Sequence, residues 1–585
     1  MNSTGPQKRE SSLYQYLGAG CALLSVMSIL CLRTLTTSPQ TIFLVVASIV
    51  SLLPLLRNPK PETAEFLYQQ GFQKTLIPLW ISWGLVAAVS YLGEAKHISG
   101  GVDWFYYLCY SRDGINFYGT ADNMYSYFPG IYQFWKTAMR LVGTDVASLQ
   151  NVIVVALGLN AALVGVVVFQ HTRCKLISIG TALWALVVLI RFDGLRGESE
   201  IIASLFFLST MIAWKGTPLD HWNKWKLLFV FALGLGLTVY MKQQAGLLAI
   251  GALALVWEQL SPRFGSRHHW GMLVSLPILA ALLLVGLILM EGRGLEPLSL
   301  GLSTAAAYPS HHSWWHNLYV QFRHDESFWI VVTVTMVMFI RQQKKIPPAT
   351  TSTQTPTARL VGFLLLSGFA TLLQFKIRPY HHYLLLTIPA FTISAAIIWH
   401  EHRYLIERGI KQRMLMVFLA ALPFCWAEDY QWAYHPAQVP TAAQVAELTN
   451  WHQQVSSERV IAELRRNIPR DIPNARPLMI LPSRHNSIHY LADTRSSSPH
   501  GYSFNEGGYH GNQAWLSMLE TTVSEYVLLL EENVCDADDL DIWDARRIGQ
   551  AQRILKLRGY QRVEGADEIE LYVRTRSDAQ GQQRR

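Results

Sequence analysis

In the stretch GVDWFYYLCY (101–110) one carboxylate, Asp103, stands among five aromatic residues, Trp104, Phe105, Tyr106, Tyr107 and Tyr110. Three further stretches set ionisable groups in apolar surroundings: RFDGLRGESE (191–200), YMKQQAG (240–246) and KIRPYHHYLLLTIP (376–389). A carboxylate within reach of a hydroxyl acts as a general base. Lysine, arginine and histidine gathered on one side bind a phosphate and stabilise charge developing on it. A plainer reading stands beside this one. Trp and Tyr form belts at the headgroup level of any spanning helix, and Lys242, Lys376 and Arg378 could each anchor a helix end by snorkelling. Each residue taken singly fits the plain reading. Tight turns carrying Arg, Lys, Gln and His together favour a cationic rim beside an aromatic-lined acid.

The elements that must position these groups are membrane helices. Of 585 residues, 50% are hydrophobic and 15% charged, against about 25% charged in soluble proteins. The apolar residues come in blocks free of charge, among them 17–32, 76–92, 152–169 and 271–290. About 20 such residues in a helix cross a hydrocarbon core of about 30 Å. By that criterion about thirteen spans are expected, centred near 23, 48, 84, 160, 182, 207, 232, 252, 280, 334, 367, 391 and 420. No small-residue cleavage site follows the first, so it reads as a retained helix. With the N-terminus inside, the inside segments hold about 20 Lys plus Arg and the longer external loops about 12, as the positive-inside rule requires. The net charge of +8 is thereby a topology signal, and nucleic acid is not an expected partner. All four chemistry-bearing stretches fall on the external side. The six cysteines are scattered; Cys109 and Cys535 share the external side, where oxidation to a disulfide is allowed.

Three regions follow: 1–74 with two spans, 75–427 with the remaining spans and a long external loop at 96–147, and an external segment, 428–585. A second external loop covers 291–326, and 341–359 is a Pro/Thr/Ser/Gln-rich inside linker. In the tail, PLMILPS (477–483) and EYVLLLEE (525–532) read as strands, HNSIHYLAD (485–493) as a helix and 545–560 as an amphipathic helix. The stretch 561–575 reads as a hairpin. Strand and helix alternate, predicting a small α/β domain.

The loop DWFYYLCYSRDGINFYGTADNMYSYFPGIYQFWKTAMRLVG (103–143) resembles the first external loop of GT-C glycosyltransferases, membrane enzymes that use polyprenyl-phosphate-linked sugars, such as protein O-mannosyltransferases and the aminoarabinose lipid A transferase. The matching features are an early acid (Asp103), a G-x-x-x-Y stretch from Gly114 to Tyr118, and a Y-x-P turn at Tyr127 and Pro129 ahead of an amphipathic helix. RGESEIIASLFFL (196–208) is similar to that family's R-x-E entry to a span, and RPYHHYLLLTIPAF (378–391) to its R-x-x-H-Y-L-L-x-x-x-P helix. The tail is similar to the periplasmic α/β domain of bacterial members.

The resemblance implies a polytopic α-helical GT-C fold in a cell membrane, a bacterial inner membrane by analogy, with the C-terminal α/β domain extracytoplasmic. It implies an enzyme that transfers a sugar from a polyprenyl-phosphate donor to a hydroxyl on a lipid, glycan or protein, with inversion. A lipid phosphate departs as a stable anion and needs no general acid, so one carboxylate, Asp103, suffices as base. Lys242, Lys376 and Arg378 would stabilise the phosphate, with His381 or His382 bonding phosphate or sugar. Tyr106, Tyr107 and Tyr118 would face the sugar or the first isoprenes, and Tyr127, Arg196, Glu198 and Gln243 complete the substrate-binding set. Asp122 reads equally as a helix N-cap or a second site carboxylate, and Asp113 in RDG as a turn former.

Many members carry Asp-Glu where this chain has Asp103-Trp104, which leaves metal binding without its second carboxylate. No cofactor is assigned, and a divalent cation stays open. Asp193, Glu198 and Glu200 are expected to pair with Arg191 and Arg196 or to bind the acceptor. HHSWWH (311–316) suggests a metal cluster, but His311 and His312 are adjacent and the stretch reads as an interfacial loop. The competing function is a transporter or flippase for a lipid-linked or polar solute, which would place ionisable groups near the bilayer midplane. A scaffold whose tail binds a periplasmic partner is the third.

Overall fold

Between Asp145 and Arg173 the chain has no acidic residue and no internal proline, and it forms the longest helix described. The computed structural model describes residues 102–113, 129–192, 197–214, 223–248, 251, 266–290, 313–324, 326–344, 356–376, 381–402, 457–468, 476–481, 486–496, 516–522, 524–530, 545–564 and 569–575. The expected spans near 23, 48, 84, 252 and 420, and both expected domain boundaries, lie outside these residues.

Helix α1 is Val102–Asp113, α2 Gly130–Val142, α3 Val146–Thr172, α4 Lys175–Arg191, α5 Ser199–Trp214 and α6 Asn223–Met241. After a 3-10 turn at Gln243–Leu248 come α7 (Ser266–Met290), α8 (Trp314–His324), α9 (Glu326–Lys344) and α10 (Pro356–Thr371). Two more 3-10 turns, Leu372–Lys376 and His381–Leu386, lead into α11 (Thr387–Glu401). By length and composition, Ser148–Thr172, Thr357–Lys376 and His382–Glu401 can each cross a membrane; Ile177–Ile190, Ser199–Trp214, Phe229–Met241, Val274–Met290 and Phe328–Gln342 are shorter apolar helices.

Helix α3 is the central member, packed by α4, α5 and α11. The Asp145 carboxylate caps its start by accepting from the Ser148 N–H at 2.9 Å, and Arg173 ends it in the left-handed region at φ 57°. Apolar side chains surround α3 on all sides, as a helix enclosed by other helices requires. Specific register comes from buried polar contacts. Asn160 Nδ2 donates to the Ile201 carbonyl at 2.8 Å and Asn160 also bonds the Ser204 hydroxyl, tying α3 to α5. Ser178 Oγ donates to the Gly165 carbonyl at 2.6 Å, tying α3 to α4.

The described residues of the segment 96–147, expected as an external loop, include the two helices α1 and α2. The seven side chains of residues 104–110 are all buried, so they do not form a headgroup-level belt; they are a protein core. Tyr106, Tyr107, Tyr110 and Tyr132 pack ring against ring at 4.7–6.1 Å, and Trp104 meets Trp135 at 5.9 Å. Helix α2 stands where the amphipathic pattern after Pro129 puts it. Its Gly130 lies so close to α6 that a Cβ would meet the Tyr240 carbonyl oxygen at 2.5 Å. Cys109 is buried in the same core, and Cys535 lies outside the described residues. The interfacial loop expected at 311–316 differs as well: its last three residues open into α8, where the His316 N–H donates to Ser313 Oγ at 3.2 Å, a helix start masked in the sequence by its aromatic run.

C-terminal to these helices come α12 (Ser457–Asn467), β1 (Arg476–Leu481), α13 (Asn486–Leu491), β2 (Thr494–Ser496), β3 (Tyr526–Leu529), α14 (Ala545–Leu557), β4 (Tyr560–Arg562) and β5 (Glu570–Arg574). The strands form one sheet in the order β2-β1-β3-β5-β4, with β1 parallel to β2 and β3, and β5 antiparallel to β3 and β4. Successive residues of β1 and β3 face opposite sides. Leu478, Ile480 and Leu528 join Val460, Leu464 and Ile488 on one side, and Met479, Val527 and Leu529 join Leu519 and Leu555 on the other.

This sheet unit is fastened to α1. Arg112, in the last turn of α1, donates to the Thr494 carbonyl at 2.6 Å and to the His489 and Tyr490 carbonyls at 3.3 Å each. Its guanidinium lies 5.3 Å from the Tyr490 ring centre and 3.7 Å from the Asp493 carboxylate. Tyr490 in turn donates its hydroxyl to the Thr144 carbonyl at 2.6 Å and meets the Phe105 ring at 6.0 Å. Charged hydrogen bonds of this kind contribute about 1.5–3 kcal/mol. Arg112→Ala is therefore expected to raise amide hydrogen exchange in 486–496 by about tenfold or more; exchange unchanged from the parent chain would show that Arg112 does not fasten the two units.

Candidate functional site

The antiparallel pair α5 and α6 brings the N-terminus of one beside the C-terminus of the other. Glu200 lies in the first turn of α5, and Lys242 immediately follows α6, its N–H donating to the Thr238 carbonyl at 3.0 Å. A carboxylate at a helix start and an ammonium at a helix end each complement the local dipole. The two side chains meet at 2.9 Å between Nζ and Oε1, with 1% and 0% of their side-chain surface exposed. The Lys242 ammonium also lies 5.9 Å from the Tyr383 ring centre. One residue before α5, Glu198 is buried and sets Oε1 4.0 Å from His382 Nδ1. His382 packs edge-on against Tyr383 at 4.8 Å.

A hydrogen-bond chain links this cluster to α1. Tyr107 donates its hydroxyl to Ser199 Oγ at 3.3 Å, and Ser199 donates to Glu200 Oε2 at 3.2 Å. One turn earlier in α1, Trp104 lies against Gly197, where a Cβ would come within 2.6 Å of the indole; Gly197 also has φ +78°, a conformation that favours glycine. Asp103 belongs to the first turn of the same helix. At i and i+4, Asp103 and Tyr107 share a helix face.

Of the residues expected in the site, the structure thus brings Tyr107, Glu198, Lys242 and His382 to the meeting point of α1, α5, α6 and the 3-10 turn before α11, while Tyr106 packs among Tyr107, Tyr110 and Tyr132. The Tyr106 and Tyr107 rings have no exposed surface; they seat α1 and present no face to a sugar in this conformation. Gln243 is half-buried at the start of its 3-10 turn, and Lys376 is exposed at the end of another. That turn is held by Asn317 Nδ2 donating to the Phe375 carbonyl at 2.7 Å and by Gln374 Nε2 donating to the Tyr383 carbonyl at 2.7 Å. His381 opens the turn before α11. Tyr118, Asp122, Tyr127, Arg196 and Arg378 lie outside the described residues, as do the side chains of Asp103, His381 and Arg191.

Among the described residues Glu200 takes Lys242 as partner and Glu198 takes His382; Arg196 and the Arg191 side chain, the partners expected from the sequence, lie outside them. The described part of the cluster is therefore not a cationic rim: two carboxylates face one lysine and one histidine, and Lys242 is neutralised by Glu200. Ser199, Tyr383 and Arg112 were missed. Ser199 had a faint signal, a hydroxyl between two glutamates at a helix start; nothing in the sequence pairs Arg112 with residues 489–494. Among the described residues no three His, Cys, Asp or Glu side chains gather as a metal site.

No family model matches the sequence, and no curated protein matches it. Among solved structures, the crystal structure of the Archaeoglobus fulgidus oligosaccharyltransferase in complex with Zn and sulfate is similar at 13% identity, over 83% of this chain and 71% of that one, with a TM-score of 0.44. Likeness of that degree carries no argument for a shared activity.

Removing one partner of a buried ion pair costs about 3–5 kcal/mol, because the other charge is stranded, whereas replacing both by apolar groups is often neutral. Lys242→Met and Glu200→Leu are each expected to lower the thermal midpoint of the detergent-solubilised protein sharply, and the double variant to recover most of the loss. Losses that simply add would show that the two groups do not depend on one another.

Proposed function

We propose that the chain is a membrane glycosyltransferase of GT-C type that transfers a sugar from a polyprenyl-phosphate-linked donor to an acceptor hydroxyl at the extracytoplasmic face, inverting the anomeric centre, with Asp103 as general base. One observation carries the reading: the helix that bears Asp103 is seated, through Trp104 on Gly197 and Tyr107 on Ser199, against the ion-paired ends of α5 and α6. An isolated acid in an interfacial belt needs no such seat.

The division of labour differs from a simple rim of cations. Lys376 and Arg378 receive the donor phosphate from the membrane side, and His382 bonds the phosphate or sugar. Lys242 fixes Glu200 and so the position of α1, and reaches the phosphate only by leaving that carboxylate. Tyr118, Asp122, Tyr127 and Arg196 belong to the acceptor and sugar side, with Glu198 and Gln243 at its floor. Phosphate departs as a stable anion, so the barrier is lowered mainly by removal of the acceptor proton and by charge stabilisation at the phosphate.

The three 3-10 turns favour a second reading, because interrupted helices also line transporter sites. Their polar groups cluster at helix ends, which supports the transferase. In membranes supplied with lipid-linked sugar, Asp103→Asn is expected to abolish transfer with expression and melting unchanged; transfer at the parent rate would remove the proposed base. Neutralising Lys376 and Arg378 together is expected to weaken binding of a polyprenyl-phosphate analogue about tenfold or more, by analogy with charge-assisted hydrogen bonds elsewhere; undiminished binding would return both to the role of anchors.

A further inference from the structure

Helix α8 has its polarity reversed. Asn317 and Gln321, one turn apart, are fully buried, while Trp315, Tyr319 and Phe322 are 72%, 58% and 43% exposed. At i, i+4 and i+7 these three aromatics form one stripe along the helix, flanked by exposed His316 and Arg323. A helix on a water-facing surface buries its apolar side and shows its polar side. Here the polar side faces the protein and is used there: Asn317 Nδ2 donates to the Phe375 carbonyl at 2.7 Å, and the Trp314 indole N–H to the Leu372 carbonyl at 2.9 Å.

Those two carbonyls fix the depth of α8. They belong to the last turn of Thr357–Lys376, a segment long and apolar enough to cross a bilayer. The end of such a segment lies at the headgroup level, so a helix bonded to residues 372 and 375 lies there too. Neighbouring elements also expose apolar side chains: Leu373 at the same turn, Leu366 on α10, and Ile330, Val337 and Ile340 on α9. Aromatic rings with a basic flank at that depth match the boundary between acyl chains and phosphates.

We propose that α8 is an interfacial helix whose Trp315–Tyr319–Phe322 stripe inserts into the lipid leaflet, and that it holds the exposed Lys376 at the level of the lipid phosphates. The occupant of this face is the phospholipid bilayer itself. The inference is independent of the transferase reading, since a transporter would need the same seat.

The test uses the full chain with the photo-crosslinker benzoylphenylalanine placed at Tyr319 in one sample and Phe322 in another, reconstituted in nanodiscs of phosphatidylethanolamine and phosphatidylglycerol. Leu366 serves as the reference for a lipid-facing position and Leu557, 88% exposed on α14, for a water-facing one. After irradiation, mass spectrometry is expected to find phospholipid adducts at 319 and 322 at yields within about threefold of 366, and none at 557. Adducts at 366 with none at 319 and 322 would overturn the proposal, as would crosslinks from 319 to another protein. Absence of lipid adducts at 366 as well would overturn it together with the membrane placement of α10, leaving sugar transfer to be judged by the Asp103 variant alone.

Discussion

The buried ion pair between Lys242 and Glu200 is the constraint on which the rest of this structure depends. Two unit charges with almost no exposed surface are tolerated only where their attraction, hydrogen bonds and fixed dipoles offset the loss of water. The antiparallel helices α5 and α6 supply that setting, each placing the sign of its dipole that the neighbouring side chain complements. Once the pair is formed, the ends of both helices are fixed relative to one another. One face of α1 is seated on this fixed end: on Gly197, Ser199 and, through Ser199, Glu200 itself.

Helix α1 is consequently held from two sides. Its inner face rests on the ion-paired helix ends, and its last turn is bound by Arg112 to the end of α13 and the start of β2. The buried rings of residues 104–110 leave it little freedom to rotate, because a ring displaced from a close-packed core forfeits its contacts. The sheet unit and the membrane helices thus share one short helix as their joint, and that helix carries Asp103. Reactions that rely on orientation lose much of their rate when a reacting group shifts by about 1 Å, so a helix clamped at both ends suits a general base.

Much of this architecture was legible in the sequence where the signal is local. Charge-free blocks gave the helices α3, α10 and α11, the Y-x-P turn gave the start of α2, and the apolar runs at 477–483 and 525–532 are β1 and β3. The four polar stretches, 101–110, 191–200, 240–246 and 376–389, stood out because ionisable groups are rare in such surroundings. The partners within them were not legible. Glu198 and Glu200 have arginines nearby in sequence, and their described partners, His382 and Lys242, come from other elements of the chain. The aromatic run at 104–110 has the composition of an interfacial belt and the burial of a core, a difference that only tertiary packing decides. Helix α8 was hidden for a related reason: its polar residues Asn317 and Gln321 face inward, the reverse of the pattern that marks a helix on a water-facing surface.

A general base at Asp103 requires that its carboxylate share one cavity with a lipid phosphate bound beside His382 and Lys376. The measurement that tests it most directly is a cryo-electron-microscopy map of the full chain in a lipid nanodisc with a polyprenyl-phosphate analogue bound. The phosphate is expected between α1 and the two 3-10 turns that precede α11, with the Asp103 carboxylate facing it. A carboxylate turned to bulk water, with the phosphate bound at another end of the helices, would contradict it.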